Sequence, residues 1–287
     1  MRTLVTGAGG FAGRHLLREL GDDAVAGAAD VTDAEATLAE VDAAGPDAVA
    51  HLAARSSVSE SLRGGSVWRV NVVGTVNVLD AVRAARPEAR VLAVSSGEVY
   101  GPTDRPATEE QPPAPISPYA VSKAAAELAC KEAGDLDVVV ARPFPHTGPG
   151  QDERFAIGSW TRQIARLEPQ GGGVLEVGDL TVERDLTDVR DVVRAYRLLL
   201  EPAVPADVYN VASGRAVALA DVVEILVGLA RCPVEIRQNP ARMRDTDIGV
   251  LLGDASKLEA ATGWRPEIPL EQTLADALDE ARREEQG

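Results

Sequence analysis

Tyr119 and Lys123 stand four residues apart in Tyr119-Ala120-Val121-Ser122-Lys123, which places a phenol and an ammonium on one face of a helix. An ammonium beside a phenol favours the phenolate and lowers a pKa that is ~10 in the free residue. Such a phenol is a usable proton donor or acceptor near neutrality. Taken alone the spacing is common, but lysine is scarce: of 29 basic residues only three are Lys. Further up the chain, Ser95-Ser96-Gly97-Glu98 follows the strand-like Val91-Leu92-Ala93-Val94. A Ser96 hydroxyl at such a strand end can hydrogen-bond a carbonyl as charge develops on it, or simply cap the next turn. Glu98 reads equally as an acid/base group or as a carboxylate held in the wall.

A second constellation lies at the N-terminus, where Thr6-Gly7-Ala8-Gly9-Gly10-Phe11-Ala12-Gly13 separates a first strand from a first helix. Gly7, Gly10 and Gly13 permit a tight turn and a close backbone approach. Phe11 and Ala12 then open a helix whose N–H groups and positive dipole end suit a pyrophosphate. The spacing differs by one residue from the common dinucleotide fingerprint. Asp30-Val31, at the following strand-to-loop junction, suits either an adenine contact or a helix cap.

These groups need a scaffold, and short apolar strands alternating with Ala/Leu-rich helices supply parallel βαβ units. Strands are expected at 2–6, 23–27, 47–52, 91–95, 136–141 and 208–211. Helices are expected at 11–20, 33–43, 65–85, 119–133, 155–168, 188–200, 219–230 and 270–284, with Val72, Val76 and Leu79 on one stripe of the third. The fold class is α/β, a Rossmann-like doubly wound parallel sheet with a smaller C-terminal lobe. Residues 1–145 with about 186–213 form the dinucleotide-binding domain, and 146–185 with 214–287 the second lobe. The crevice between them is the natural ligand site.

Composition narrows the function classes. A formal charge of −16 repels phosphate backbones, so a nucleic-acid partner is not expected. Bound anions must be met locally by Arg or helix N-termini. No apolar run reaches the roughly 18 residues of a membrane span, and Met1 leads directly into a strand, so neither membrane nor signal peptide is expected and the location reads as cytoplasmic. Cys130 and Cys232 give no disulfide framework, and His15, His51 and His146 have no metal spacing. His51 reads as a core or edge residue and Cys130 as a packed small side chain. The excess of Arg over Lys fits a GC-rich genome, and the acid excess also fits a halophile.

Together these residues resemble the extended short-chain dehydrogenase/reductases that act on nucleotide sugars, over essentially the whole chain. The nucleotide motif matches Gly7, Gly10 and Gly13, the post-strand pair matches Ala53-Ala54, and the buried helix Asn matches Asn71. The catalytic trio matches Ser96, Tyr119 and Lys123, and Arg142-Pro143 matches the segment leading to the nicotinamide. The resemblance implies an NAD or NADP site that also includes Leu52 and Ser95. It implies a homodimer through a four-helix bundle formed by the 65–85 and 119–133 helices.

Within that family the chain is most similar to the branch that reduces GDP-4-dehydro-6-deoxy-mannose, through Ser95–Gly101, Arg142–Gln151, Arg184–Val189 and Asn239–Arg244. The implied substrate contacts are Ser57, Val58, Ser96, Gly97, Glu98, Pro145, His146, Arg184 and Arg244, the two arginines clamping a diphosphate. The implied reaction is NAD(P)H-dependent reduction of the C4 ketone of a GDP-4-keto-6-deoxy-hexose, with GDP-rhamnose the favoured product. The alternative is a GDP-mannose-type 4,6-dehydratase or a 4-epimerase with tightly held NAD. Three positions depart from the pattern. Pro145 replaces the usual Asn. Gly97 replaces the Asp of dTDP-glucose dehydratases. The second strand ends in Ala28-Ala29, with neither the acid nor the Arg that discriminates NAD from NADP.

Overall fold

The computed structural model describes residues 1–56, 66–103, 105–243 and 248–286. Six parallel strands form the central sheet, in the order β10-β5-β4-β3-β1-β2: β1 (Thr3–Thr6), β2 (Ala24–Ala26), β3 (Ala48–His51), β4 (Arg90–Val94), β5 (Val138–Pro143) and β10 (Val208–Val211). The register runs Thr3↔Ala24, Thr3↔Ala48, Ala48↔Arg90, Val91↔Val138 and Val208↔Val140. Central strands buried on both faces require near-continuous apolar runs. Leu4, Val5, Val49, Leu92 and Val139 are accordingly fully buried.

The crossover helices cover both faces. On one, α1 (Phe11–Leu20) and α6 (Val189–Leu199) bury Leu16, Val192, Val193, Tyr196 and Leu199 against the sheet. On the other lie α2 (Ala34–Ala44), α3 (Ser66–Trp68, Arg69–Val73 and Gly74–Ala85) and α4 (Pro118–Glu132), which contribute Val41, Val78, Val82 and Cys130. The chain marks their starts. Asp33 accepts from Ala36 N, Ser117 from Ala120 N ahead of Pro118, and Asp188 from Arg190 N.

Helix α3 differs from its expectation. Residues Arg69–Val73 form a π turn, and the buried stripe is Asn71, Gly74, Thr75, Val78, Leu79 and Val82, while Val76 is exposed. That stripe follows the ordinary i, i+3, i+4 spacing of a helix, and the expected Val72 and Val76 lie one residue off it. The fifth strand also begins two residues later than expected.

Beyond β5 lie α5 (Ala156–Leu167), β7 (Gly173–Val177), α7 (Leu219–Leu229) and α9 (Leu270–Gln286), whose Trp160, Ile164, Leu175, Leu226 and Leu278 share a separate core. Short strands β8 (Glu183–Asp185), β11 (Ala216–Ala218) and β13 (Val250–Leu251) form a three-stranded sheet, β12 (Val234–Gln238) pairs with β7, and β6 (His146–Thr147) with β9 (Thr187–Asp188). These two- and three-residue strands, and helix α8 (Ser256–Thr262), fall in segments expected to be loop. Strands of two or three residues and a helix of about two turns are too short for a pattern to repeat several times, and they are held by their neighbours. A fourth cluster, with Tyr100, Phe144, Ala212 and Leu251, joins the two parts at the carboxyl edge of the sheet.

Candidate active site

The glycine segment is a cradle that side chains would fill. Gly7 has φ +69, and a Cβ there would lie 2.6 Å from Ala53 N; one at Gly13 would lie 2.2 Å from Gly7 O. The β1–α1 turn can therefore press on the Ala53 backbone only with glycine at both places. No side chain caps α1, and no acid sits in its first turn. The positive end of the helix is thus left for an external anion, and the segment fits a dinucleotide pyrophosphate. Leu52 and Ala53 follow β3 beside this turn, with Leu52 N donating to Thr6 O at 3.2 Å and Ala53 N to Thr6 Oγ1 at 3.3 Å.

Asp30 accepts from Thr32 N at 2.9 Å, the main reason its carboxyl lies below the usual range. It caps this turn, whereas Asp33 caps α2. Val31 packs against Gly74, and its carbonyl accepts from Asn77.

At the sheet edge, β4 and α4 bring Ser96, Tyr119 and Lys123 together, and all three are buried. Ser96 caps a short 3-10 turn over Gly97–Tyr100, accepting from Glu98 N. Burial is the largest effect on Tyr119 and raises its phenol above the usual value. The Glu98 carboxylate adds to this, and a hydrogen bond with Ser96 opposes it. The expectation that Lys123 lowers the phenol pKa is therefore corrected. Lys123 Nζ donates to Val94 O at 2.7 Å, and desolvation lowers its own pKa to about 8. A phenol held protonated suits proton donation.

Behind this trio runs a polar network that the sequence reading did not single out. Glu127, one helical turn beyond Lys123, accepts from Arg142 Nε at 3.0 Å and Nη2 at 2.6 Å, and also from Ser95 Oγ. Arg142 Nη1 donates to Tyr100 Oη at 2.8 Å, and that hydroxyl donates to Asn210 Oδ1 at 2.7 Å. The signal was present in the four-residue step Tyr119, Lys123, Glu127.

Asn71, inside the π turn, donates to Ser122 Oγ and to Arg55 O, and accepts from Arg55 N; Ser122 Oγ in turn donates to Tyr119 O. The side chains of Ser95, Asn71 and Arg142, expected among the cofactor contacts, are thus bonded within the chain. They brace the strand end and α4. Ala54 and Pro143 lie at the ends of these same segments.

Gly97 faces the Phe144 ring, which a Cβ would meet at 2.9 Å; a Cβ at Gly253 would meet it from elsewhere at 2.5 Å. An Asp at position 97 has no space without displacing a fully buried ring. His146 stacks on Phe11 with centroids 6.0 Å apart, and its Nδ1 lies 3.1 Å from Phe144 O. His15 Nε2 and Arg14 Nη2 reach Pro149 O and Gly150 O, so helix α1 also holds the loop that follows His146. Desolvation lowers both histidines' pKa values. Pro145 O accepts from Thr187 N. Arg184 Nη1 donates to Ile248 O at 2.6 Å, at the edge of the segment leading to Arg244. Ser57, Val58 and Arg244 lie outside the described residues. His51 is buried between Thr6 Oγ1 and Thr75 Oγ1, and Cys130 is packed in the core with its thiol pushed up to about 12 by burial.

Comparison with known proteins places these features in context. A family model described as GDP-mannose 4,6 dehydratase matches residues 21–277. The chain is 41% identical to GDP-6-deoxy-D-mannose reductase of Pseudomonas aeruginosa, over 97% of this chain and 96% of that one. It is 31% identical to UDP-glucose 4-epimerase of Mycolicibacterium smegmatis, over the full length of both. Among solved structures, RMD from Pseudomonas aeruginosa complexed with NADPH superposes with a TM-score of 0.91 at 37% identity, over 99% of this chain and 100% of that one.

Proposed function

The chain belongs to the GDP-mannose 4,6-dehydratase family, and from that premise we propose that it reduces the C4 ketone of a GDP-4-keto-6-deoxy-hexose to a GDP-6-deoxyhexose, GDP-rhamnose being favoured. The observation that carries the reading is the joint burial of Ser96, Tyr119 and Lys123 at the sheet edge, beside a glycine cradle fit for a dinucleotide. Gly7, Gly10, Phe11, Ala12 and Gly13 would hold the pyrophosphate of NAD(P)H, with Asp30-Val31 toward the adenine and Leu52, Ala53 and Ala54 along the cleft floor. Bound there, NAD(P)H would supply the hydride needed at C4.

The remaining chemistry belongs to the chain. Tyr119, held protonated, delivers its proton to the oxygen that becomes the alcohol. Ser96 orients that oxygen, and Lys123 holds the ribose while its charge favours loss of the proton from Tyr119. Pro145, His146, Arg184 and Arg244, with Ser57 and Val58, form the nucleotide-sugar side. We divide the chain accordingly, with 1–145 and about 186–213 binding the dinucleotide and 146–185 with 214–287 binding the sugar nucleotide.

The test follows absorbance at the nicotinamide band with GDP-4-keto-6-deoxy-mannose and NADH or NADPH. Stoichiometric loss of reduced cofactor supports the reductase. No loss, with NAD retained through purification, transfers the assignment to a dehydratase or epimerase. Glu98 beside Tyr119 is the observation that favours that second reading. The crowding of Gly97 by Phe144 opposes the form that needs an Asp there.

A homodimer is part of the proposal. Trp68, Val73 and Val76 on α3, and Val121 and Leu128 on α4, are exposed apolar side chains on the two helices expected to pair. No helix among the described residues is long and apolar enough to cross a membrane, and we assign the protein to the cytoplasm.

A further inference from the structure

Residues Ala26 to Ala29 carry no charge where β2 ends, yet the site is not without one. Glu40, on the second helix, reaches back so that its Oε1 accepts from Ala28 N at 2.6 Å and from Ala29 N at 2.9 Å. The two bonds hold the carboxylate against the chain as it leaves the strand. Its other oxygen, Oε2, lies beside Gly27, where a Cβ would be 3.0 Å from it and 3.4 Å from Thr6 Cα. Gly27 N donates to Val5 O, so this carboxylate stands next to the last residue of β1, immediately before the Gly7 turn.

In a doubly wound sheet that position faces the adenosine ribose of a bound dinucleotide. A carboxylate there accepts from a free 2′-hydroxyl and repels a 2′-phosphate. We propose that Glu40, delivered from α2 rather than from the end of β2, selects NADH over NADPH in this chain. The inference rests on the dinucleotide site proposed above and deepens it.

The surrounding charge agrees. Residues 19–54 contain no Arg and no Lys, whereas Glu19, Asp22, Asp23, Asp30, Asp33, Glu35, Glu40, Asp42 and Asp47 all fall within them. No cation on β2, α2 or β3 can therefore neutralise a 2′-phosphate. Arg55 and Arg69 act electrostatically on Asp30, where they are already set against a carboxylate. Arg14 is engaged with Gly9 O and Gly150 O. A Cβ at position 27 would lie 2.9 Å from Val5 O and 3.0 Å from the Glu40 carboxylate, so glycine there lets both approach.

The experiment is calorimetric titration of the purified protein with NADH and with NADPH, repeated on Glu40→Gln and Glu40→Ala. Gln keeps an acceptor oxygen for the two amides and removes the charge. Wild-type protein should bind NADH at least about tenfold more tightly than NADPH. Glu40→Gln should tighten NADPH by about fivefold or more while changing NADH by less than about threefold. Competition of bound NADH by adenosine 2′,5′-bisphosphate against ADP on wild-type protein reads the same preference without a variant that must fold, and ADP should win. Equal or tighter NADPH binding by the wild type overturns the proposal, as does an unchanged ratio in folded Glu40→Gln and Glu40→Ala. Failure of both dinucleotides to bind overturns the dinucleotide site itself, a result distinct from binding without discrimination.

Discussion

Arg142 and Glu127 form a two-point ion pair behind Ser96, Tyr119 and Lys123, with guanidinium-to-carboxylate distances of 3.0 and 2.6 Å and exposures of only 6% and 10%. Planar guanidinium and carboxylate match in this geometry, so the pair sets the spacing between β5 and α4 as well as neutralising charge. Through Ser95 on one side and the Tyr100–Asn210 bond on the other, it ties the Ser96 turn to the sheet.

Removing one partner leaves a buried charge unmatched. Arg142→Met should lower the unfolding free energy by about 3–5 kcal/mol, and Glu127→Leu in the same background should restore much of it. Urea unfolding of both single variants and the double variant measures this. Additive losses would show that the two residues act independently.

Tyr119→Phe removes the phenol proposed as proton donor and little volume. Turnover should fall by about 10²–10⁴-fold, while the dissociation constant for the dinucleotide stays near that of the wild type. Undiminished turnover would remove Tyr119 from the mechanism.

Lys123 titrates at about 8, so its ammonium predominates below that pH and is lost above it. A step that needs the charge weakens as pH rises through about 8, giving kcat/KM an alkaline limb there. In Lys123→Arg the cation persists, and the limb should move to higher pH whatever the absolute rate.

His51 has a folded-state pKa of about 3, lowered from 6.5 by burial and secondarily by Lys123. Its folded value lies below its unfolded value, so between those pH values the unfolded chain binds more protons. The associated stability is present above about 6.5 and drains away as pH falls toward 3, at up to about 1.4 kcal/mol per pH unit. His51→Gln should flatten that acid slope in unfolding experiments from pH 7 to 4. An unchanged slope would mean that other groups govern it.

Leu128 on α4 is 65% exposed. If α3 and α4 pair across a two-fold axis, Leu128→Arg should shift the sedimentation coefficient toward monomer while the far-UV helical signal is retained, the thermal midpoint falling with the lost association. A dimer that survives both this change and Val76→Arg uses another surface.

The sequence by itself determined the order of elements and the residues that could react. The parallel sheet was legible because each strand is a short apolar run and three of the helices open on a capping residue, Asp33, Ser117 and Asp188. Gly7, Gly13, Ser96, Tyr119 and Lys123 were legible because turn geometry and helical spacing are local properties. Tertiary structure decided what surrounds them. The helix of Ser66–Ala85 buries the stripe through Asn71, Thr75 and Val78 rather than the neighbouring one through Val72 and Val76, and Asn71 joins the Arg55 backbone to α4. Burial kept the Tyr119 phenol protonated against the neighbour-charge argument, since desolvation depends on every element packed around it. Arg142 found Glu127, and Glu40 found the end of β2, across 15 and 12 residues of chain. No periodic pattern reports such meetings: a side chain's partner is set by the three-dimensional path of the backbone, which only the packed sheet and helices define.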